Sequence, residues 1–316
     1  MARKLVNTKE ISHEDWLALR KKSLGGSEVS AILGMNPYSS PLQVYANKKN
    51  LVKDIKDNEA MRLGRDLEDY VAKRYTEATG NKVRNDHWMY MDDEYDYLTA
   101  NIDRRIVGQN AALECKVMGN GAAKYNFDAG EVPEQYYCQC QFYCMILGLD
   151  RVDLAVLVLQ RGIKIVPINR NDEFIAEMRK KAIEFWKEFV LKDNMPDVDG
   201  SDSSMSVLKE IYPKEMPNTE IRIAGLDPMV REYNDAAEME KYYHSKKQEI
   251  QSRICKRLGS NAVGFGNEFG VSWKSQTKAS ISASKLKAKY PKVYADMVEV
   301  SEYRVFRKKK LTGKEK

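Results

Sequence analysis

The feature that most constrains the fold is a stretch of strand-like alternation in the middle of the chain. Residues Tyr97–Val107 and Ala111–Val117 have an extended pattern, with a polar turn between them. If the turn is a two-residue loop at 108–109, Asp103 falls opposite Glu114. The sequence therefore predicts an antiparallel hairpin whose register is set by its turn, and a three-residue loop would change that register.

This register sorts the side chains onto two faces, because successive strand residues point to opposite sides and paired residues share one side. One face carries Asp103, Glu114 and Lys116. The other face is apolar and carries Ile102, Ile106, Ala111, Leu113, Cys115 and Val117. The pattern predicts a core face on one side of the hairpin and a polar face capable of chemistry on the other.

The polar face brings two carboxylates together, and such a pair repels unless a cation lies between them. A hard divalent ion with oxygen ligands meets this need. Mg²⁺ at this position would lower the pKa of a bound water and offset charge on a phosphoryl oxygen. Lys116 would orient that water, help to deprotonate it, or stabilise charge in the transition state. The alternative is that these residues, together with Arg104 and Arg105, form cross-strand ion pairs on the surface.

Helical periodicity surrounds the hairpin, and two further strands follow it. The order predicts an α/β domain over residues 1–195 in which helices flank a mixed sheet. The predicted helices are Trp16–Lys22, Glu28–Leu33 with Ser27 as its N-cap, Leu42–Asn47, Asn58–Thr79, Val132–Leu147 and Asp172–Leu191, and the predicted strands are Arg151–Leu159 and Ile163–Ile168.

The remaining residues predict a second region. Residues 196–220 are rich in turn-forming residues and indicate a linker or a long connection. Residues 221–316 predict a basic α+β C-terminal extension. Its elements are a helix over Pro228–Leu258, strands over Ala262–Gly266 and Gly270–Gln276, a helix over Ser284–Tyr290 and a strand over Tyr303–Lys308.

Charge is unevenly distributed along the 316 residues, although the net charge is only +6. Residues 202–316 hold 23 Lys and Arg against 15 Asp and Glu, whereas residues 1–201 are close to neutral. A basic region favours a polyanion such as nucleic acid, although basic tails are also common as solvated ends. The mean hydropathy is −0.59, and no apolar run approaches the ~18 residues that a membrane span needs. We therefore expect a cytoplasmic protein with no membrane partner and no secretory signal.

The five cysteines are odd in number and are not spaced as a disulfide framework or a CxxC metal site. Three of them, Cys138, Cys140 and Cys144, fall within one predicted helix. We therefore expect reduced thiols that act as small core residues.

The spacing of the polar-face residues, D-x10-E-x-K, resembles the signature of PD-(D/E)xK nucleases, although the proline is absent. Three other blocks resemble YqaJ-type viral recombinases, which are relatives of phage lambda exonuclease. They are LGGSEVSAILGMNPY (24–38), LGRDLE (63–68) and YYCQCQFY (136–143). GVSW (270–273) and Tyr303-Arg304 resemble the C-terminal extensions of longer members. The resemblance implies a restriction-endonuclease-like α/β core.

The resemblance also implies roles at the reaction centre. Asp103, Glu114 and the backbone carbonyl of Cys115 would bind Mg²⁺, for which Mn²⁺ could substitute, and Lys116 would act at the attacking water. Glu68 would complete the site from a helix.

Three further residues receive roles from the resemblance. Gln139 would lie near the reaction centre, although two neighbouring glutamines, 135 and 141, leave its register open. Arg20 and Ser27 would bind a terminal 5′-phosphate, which suits an arginine fork beside a hydroxyl. The alternatives are a simple N-cap for Ser27 and a solvated helix face for Arg20.

The implied activity is Mg²⁺-dependent digestion of linear double-stranded DNA from its 5′ end, leaving a 3′ single-stranded tail for phage or prophage recombination. The implied partners are DNA ends, a single-strand annealing protein and further copies of the chain in a homotrimer ring. One alternative is an endonuclease or a nuclease of other polarity, since one fold hosts many activities. Another is a non-catalytic DNA-binding or assembly protein that acts through the basic tail and the long polar helix.

Overall fold

The structure, a computed structural model, describes residues 2–54 and 57–310. The chain divides into two compact units, Met1–Pro213 and Lys214–Lys316. In the first unit, helices cover both faces of a five-stranded sheet, and there is a separate three-stranded sheet. The second unit contains a long helix, a two-stranded hairpin and short helices.

The larger sheet has the strand order β2-β5-β6-β7-β8, and the smaller sheet has the order β1-β3-β4. Within the larger sheet β6 and β7 are parallel, while the other neighbours are antiparallel. The mixed sheet predicted from the sequence is therefore confirmed. The strands are β1 (Arg3–Asn7), β2 (Val83–Asn85), β3 (Trp88–Met91), β4 (Thr99–Ala100), β5 (Arg104–Ile106), β6 (Ala111–Met118), β7 (Arg151–Val158), β8 (Gly162–Asn169), β9 (Val263–Phe265) and β10 (Gly270–Ser272).

Polar caps and glycines bound several helices where the sequence predicts them. The Asn58 side chain accepts the Met61 N–H at the start of α4, and Gly80 ends that helix with φ of +74°. A π-helical turn over 186–191 continues α6. The helices are α1 (His13–Lys21), α2 (Gly26–Ile32), α3 (Pro41–Lys48), α4 (Glu59–Thr79), α5 (Glu134–Leu147), α6 (Asp172–Phe185), α7 (Asp202–Ile211), α8 (Leu226–Leu258), α9 (Ala283–Lys289) and α10 (Pro291–Met297).

Strands β5 and β6 form the predicted hairpin in the predicted register. Arg104 pairs with Leu113, which is the alignment that places Asp103 opposite Glu114. The ladder agrees with the two-residue turn that was assumed from the sequence, and this turn sets the register.

The predicted strand Tyr97–Val107 is divided, because β4 and β5 belong to different sheets. Between them the Asp103 carboxylate accepts the Cys115 N–H at 2.8 Å, so a side chain replaces a strand partner in the ladder. The chain leaves the regular pleat there, and Ile102 packs in a different core cluster from Ile106. The prediction that these two residues share one face was therefore wrong.

Helix α4 covers one face of the larger sheet. Val71 and Tyr75 are fully buried there against Leu113. The Tyr75 hydroxyl donates a 2.5 Å hydrogen bond to the buried carboxylate of Asp153 on β7. The packing of Val71 and Tyr75 and the Tyr75–Asp153 hydrogen bond together hold α4 over β6 and β7. They thereby also set the position of the side chains that α4 directs toward the hairpin.

Helix α5 lies on the opposite face and also packs against α2. Cys138, Cys140 and Cys144 are fully buried free thiols in its core-facing surface, as predicted. A Cβ on Gly26 would lie 3.2 Å from Gln139 Cγ. The close approach of α2 to α5 therefore depends on a residue without a side chain at position 26.

Helix α2 begins at Gly26 rather than at the predicted Glu28, and Gly25 is its N-cap. The reason is that the Glu28 carboxylate reaches back and accepts the Gly25 N–H at 2.9 Å. Ser27 therefore lies in the first turn with an exposed side chain and is not the N-cap. Its hydroxyl is free for other contacts.

Part of the segment predicted as a linker or long connection, 196–220, is the regular helix α7. The Ser201 hydroxyl caps it by accepting the Ser204 N–H at 3.1 Å. Val207 is buried, and the Ser203 hydroxyl lies 3.2 Å from that of Ser40 at the start of α3. The first unit therefore extends through this helix.

The second unit buries little. Among the described residues 214–310 of this unit, only Leu258, at the end of α8, is buried. Strands β9 and β10 form the predicted hairpin, but the predicted strand Tyr303–Lys308 is wrong, because the described residues 301–310 pair with no other strand. Among the described residues, no helix has the length and apolar character needed to cross a membrane.

Candidate active site

The two hairpin carboxylates lie where the larger sheet is covered by α5. Asp103 precedes β5 and is partly buried, and Glu114, in the middle of β6, is 2% exposed. The bond from the Cys115 N–H to Asp103 Oδ2 holds the first carboxylate against the strand that carries the second. The alternative of a surface ion-pair network does not describe these residues, because Glu114 is inside the protein.

Burial and mutual repulsion set the electrostatics of this pair. Burial, and next the charge of Glu114, raise the pKa of Asp103 well above its usual value. Lys116 Nζ lies 2.5 Å from Glu114 Oε1. Burial lowers the pKa of Lys116, but the Glu114 and Asp103 carboxylates outweigh it, so the net shift is upward. Lys116 is therefore a cation at neutral pH. Its single positive charge faces two carboxylates, so a further cation would reduce the repulsion between them.

Helix α5 supplies a hydrogen-bonding network to Glu114. Gln139 Nε2 donates to Glu114 Oε1 at 2.8 Å and to the Tyr143 hydroxyl at 2.7 Å. Gln141 turns away and donates to the Asn169 carbonyl at 2.7 Å. Of the glutamines that the sequence left open, Gln139 is the one that reaches the carboxylate.

Glu68 on α4 is held beside the hairpin by an arginine. Its carboxylate pairs with the guanidinium of Arg104, which also contacts Asp69 at 2.6 Å. The same guanidinium donates to the main-chain carbonyl of Asp103 at 2.7 Å. The structure thus brings Glu68 close to Asp103, and Arg104 pairs with the Glu68 carboxylate.

Arg20 and Ser27 meet in a cleft of about 150 Å³. Arg20 Nη2 donates to the Ser27 hydroxyl at 3.2 Å, and its guanidinium lies 4.9 Å from the centre of the Trp16 ring. Gln139 and Tyr143 form another wall of the same cleft. The Arg20/Ser27 cleft therefore adjoins the side chains that hold Glu114.

The donor set fits a hard divalent cation. Glu114 Oε2 is buried and has no hydrogen-bond partner among the described residues. A strand residue presents its N–H and C=O to the same side, so the Cys115 carbonyl points toward the edge where Asp103 accepts its N–H. Within 2–54 and 57–310, no group of three or more His, Cys, Asp or Glu side chains forms a metal site. The main chain and water would therefore complete the coordination shell.

Two residues of the site, Arg104 and Tyr143, received no role in the reaction centre from the sequence. Arg104 lies opposite Leu113 on an otherwise apolar face, and a charge there requires buried partners. Its position on that face was the signal that could have revealed it. Tyr143 follows Gln139 by four residues on one helix, and this spacing makes the two side chains neighbours.

The mixed sheet carries D-x10-E-x-K on adjacent strands with Glu68 of α4 beside them, which is the arrangement expected of a nuclease of the PD-(D/E)xK class. Residues 15–150 match the YqaJ-like viral recombinase domain. Over 309 residues the chain is 32% identical to the uncharacterized protein YqaJ of Bacillus subtilis (strain 168), covering 96% of each chain. The chain therefore belongs to the YqaJ-like viral recombinase family.

Similar solved structures include an alkaline exonuclease, LHK-Exo, from Laribacter hongkongensis, with a TM-score of 0.47 and 19% identity over 57% of this chain and 93% of that one. A phage-related exonuclease from Haemophilus somnus 129PT has a TM-score of 0.42 and 15% identity over 54% of this chain and 96% of that one.

Proposed function

We propose that the protein is a Mg²⁺-dependent 5′-to-3′ exonuclease acting on linear double-stranded DNA. It releases nucleotides from the strand that carries a 5′-phosphate and leaves a 3′ single-stranded tail. The observation that carries the proposal is the contact of one residue, Gln139, with both parts of the site: it donates to Glu114 and lines the Arg20/Ser27 cleft. A terminal phosphate in that cleft would set the distance from the DNA end to the carboxylates, which is what an end-directed nuclease needs.

Asp103, Glu114 and the Cys115 carbonyl would hold the metal. Bound Mg²⁺, for which Mn²⁺ could substitute, would lower the pKa of a water and neutralise charge on the scissile phosphate. Lys116, in its cationic form, donates hydrogen bonds that orient the attacking water and stabilise the developing negative charge. Gln139 keeps the Glu114 carboxylate in one orientation through its amide N–H.

At the DNA end, the Arg20 guanidinium provides a charged fork and the Ser27 hydroxyl a further donor for the terminal phosphate. The Trp16 ring stacks against the guanidinium and limits its conformations. Glu68 contributes to the acidic side of the site through its contact with Arg104.

The wider role in the proposal is phage or prophage recombination in a host cytoplasm. A single-strand annealing protein would take over the 3′ tail, and a homotrimer ring around the duplex would keep the enzyme on its substrate. The basic residues of 202–316 support contact with a polyanion.

The test is a time course on linear duplex DNA with a phosphate on only one 5′ end, beside a closed circle, in Mg²⁺ or in EDTA. Metal-dependent loss of the phosphorylated strand with the circle intact is expected. Mn²⁺ in a parallel reaction measures the substitution, and a Glu114→Gln variant identifies contaminating nuclease.

Three outcomes would contradict the proposal in different ways. Cleavage of the circle would indicate an endonuclease. Equal loss of both strands would show that the Arg20/Ser27 cleft does not select a 5′-phosphate. Absence of cleavage with either metal, together with DNA binding, would favour a non-catalytic DNA-binding protein.

A further inference from the structure

A buried lysine lies behind the Arg20/Ser27 cleft. Lys48 is the last residue of α3, and its side chain is 2% exposed. A lysine is rarely fully buried unless its charge is paired, because removing an ammonium group from water is costly. Burial lowers the pKa of Lys48, although the charge of Glu28 opposes that shift. The protein therefore buries an ammonium group, at a cost in desolvation free energy, where an apolar side chain could be buried without that cost.

The contacts of Lys48 explain its position. Its Nζ donates to the main-chain carbonyl of Arg20 at 2.7 Å and to Glu28 Oε1 at 2.5 Å. The other oxygen of Glu28 accepts the Gly25 N–H at 2.9 Å. One ammonium group and one carboxylate thus connect the last turn of α1 to the first turn of α2.

The two segments that this pair joins carry the two ligands of the cleft. Arg20 lies in the last turn of α1, and Ser27 lies in the first turn of α2. The Trp16 ring constrains the Arg20 guanidinium, and the Ser27 side chain is exposed. The separation of the two groups therefore depends on how the main chain between them is held. The Lys48–Glu28 pair touches the main chain at both ends of this connection and contacts neither side-chain donor of the cleft.

We propose that Lys48 and Glu28 are positioning residues that set the spacing of Arg20 and Ser27 for a 5′-phosphate. The inference rests on the proposed function of the cleft. It predicts that loss of the pair weakens the preference for phosphorylated ends and leaves the carboxylate centre, on the other side of Gln139, in place.

The test compares Lys48→Met with Lys49→Met in the full-length protein. Methionine keeps the length and volume of the lysine stem, and Glu28 can still cap α2 through its second oxygen. Lys49 is the matched control, because its ammonium group is more exposed and pairs with Asp193 at 2.8 Å, away from the cleft. The readout is the ratio of kcat/KM on 5′-phosphorylated ends to kcat/KM on 5′-hydroxyl ends.

Lys48→Met is expected to lower this ratio about 10- to 100-fold, because small misplacements of binding groups have effects of that size. Lys49→Met is expected to leave the ratio unchanged. A general folding defect would lower both rates together, so it would leave the ratio at the wild-type value. A ratio in Lys48→Met equal to that of Lys49→Met overturns the positioning role.

A second variant protects the test from misfolding of the first. Glu28→Gln keeps the volume and the bond to Gly25 but removes the charge opposite Lys48. The ratio should fall in this variant too, and the double variant should lose less than the sum of the two, since the residues act as one unit. Additive losses would overturn the shared role. A ratio near one in the wild-type enzyme would instead show that the Arg20/Ser27 cleft does not bind a 5′-phosphate. Failure of the proposed function can therefore be distinguished from failure of this inference.

Discussion

The two units of the chain differ in how they use their side chains. The first unit buries two apolar clusters, one on each face of its larger sheet, and the candidate site lies between those layers. The second unit carries large aromatic side chains in solvent: Phe265 is 86% exposed and Phe269 is 78% exposed. Residues 202–316, which include the second unit, also carry the whole basic excess, with 23 Lys and Arg against 15 Asp and Glu.

The two units correspond to two different requirements of an enzyme that acts on a polymer, which are chemistry at one phosphate and attraction to the phosphate backbone. Chemistry at phosphate needs charged groups held rigidly in a place that water does not screen, and only a packed core provides this. Attraction to a phosphate backbone needs surface charge, which acts without a core and without sequence specificity. We therefore expect the first unit to contain the whole reaction centre and the second unit to change DNA binding alone.

The largest effect should come from Glu114→Gln, which keeps the volume but removes one of the two carboxylate charges. A metal contributes several kcal/mol of transition-state stabilisation, so its loss should reduce cleavage at least about 10³-fold. DNA binding should remain, since the basic residues of 202–316 are unchanged. Cleavage assays and a gel-shift titration measure the two properties. The control is Glu188→Gln, a surface carboxylate paired with Lys192, and full activity in Glu114→Gln would place the reaction centre elsewhere.

The next effect is on stability and compares one phenylalanine from each unit. Phe142 on α5 is fully buried, and Phe265 is 86% exposed. Phe142→Ala should lower the free energy of unfolding by about 3–5 kcal/mol, and Phe265→Ala should change it by less than about 0.5 kcal/mol. Urea unfolding monitored by circular dichroism gives both values. A large loss from Phe265→Ala would mean that the second unit has a core of its own.

This contrast bears on what the sequence could predict. The hairpin register and the span of α4 were predictable, because the short turn at 108–109, the Asn58 cap and the Gly80 stop are local signals. The predicted strand at 303–308 combines aromatic and β-branched residues, but it pairs with no strand among the described residues. Strand-forming residues alone do not make a strand, because a strand needs a second chain segment for its hydrogen bonds.

Long-range partners account for what the sequence missed in the site. Arg104 becomes interpretable only once Glu68, 36 residues earlier, lies beside it. Lys48 becomes interpretable only once α3 is seen behind Arg20. In both cases the residue type signals a need for a partner, but the tertiary fold decides which partner meets it. The short strands β1, β2 and β3 were missed for the same reason, since their pairing joins distant segments.

A smaller effect should follow removal of the second unit. A chain ending at residue 213 should still cleave a short duplex at low salt, because every residue of the candidate site lies in the first unit. Its binding to DNA should depend less on salt, with the slope of log affinity against log salt falling by about 0.9 for each phosphate that the second unit neutralises. Affinity measured over a series of salt concentrations provides the slope. An unchanged slope, or an inactive but folded truncation, would contradict the division of roles.

The smallest effect should be on the thermal stability of the first unit without metal. Because the pKa of Asp103 is raised in the folded protein, the folded state holds its proton more tightly than the unfolded state, where the pKa is about 3.9. Stability therefore falls as pH rises above that value toward the folded pKa, and it stays reduced at neutral pH. Asp103→Asn removes this cost and can still accept the Cys115 N–H, so in EDTA at neutral pH its Tm should exceed that of the wild type.

Metal should reverse that order. Mg²⁺ at 100 times its Kd would add about 2.7 kcal/mol to the wild type, and each kcal/mol shifts the Tm of a domain of this size by about 2–4 °C. Asp103→Asn has lost a ligand and should respond much less. Calorimetry of both proteins, in EDTA and in Mg²⁺, gives four melting temperatures. A wild-type Tm that does not respond to Mg²⁺ would show that the carboxylate pair does not bind the metal. A response in the wild type alone would show that Asp103, whose charge destabilises the protein without metal, is also the residue through which Mg²⁺ stabilises it.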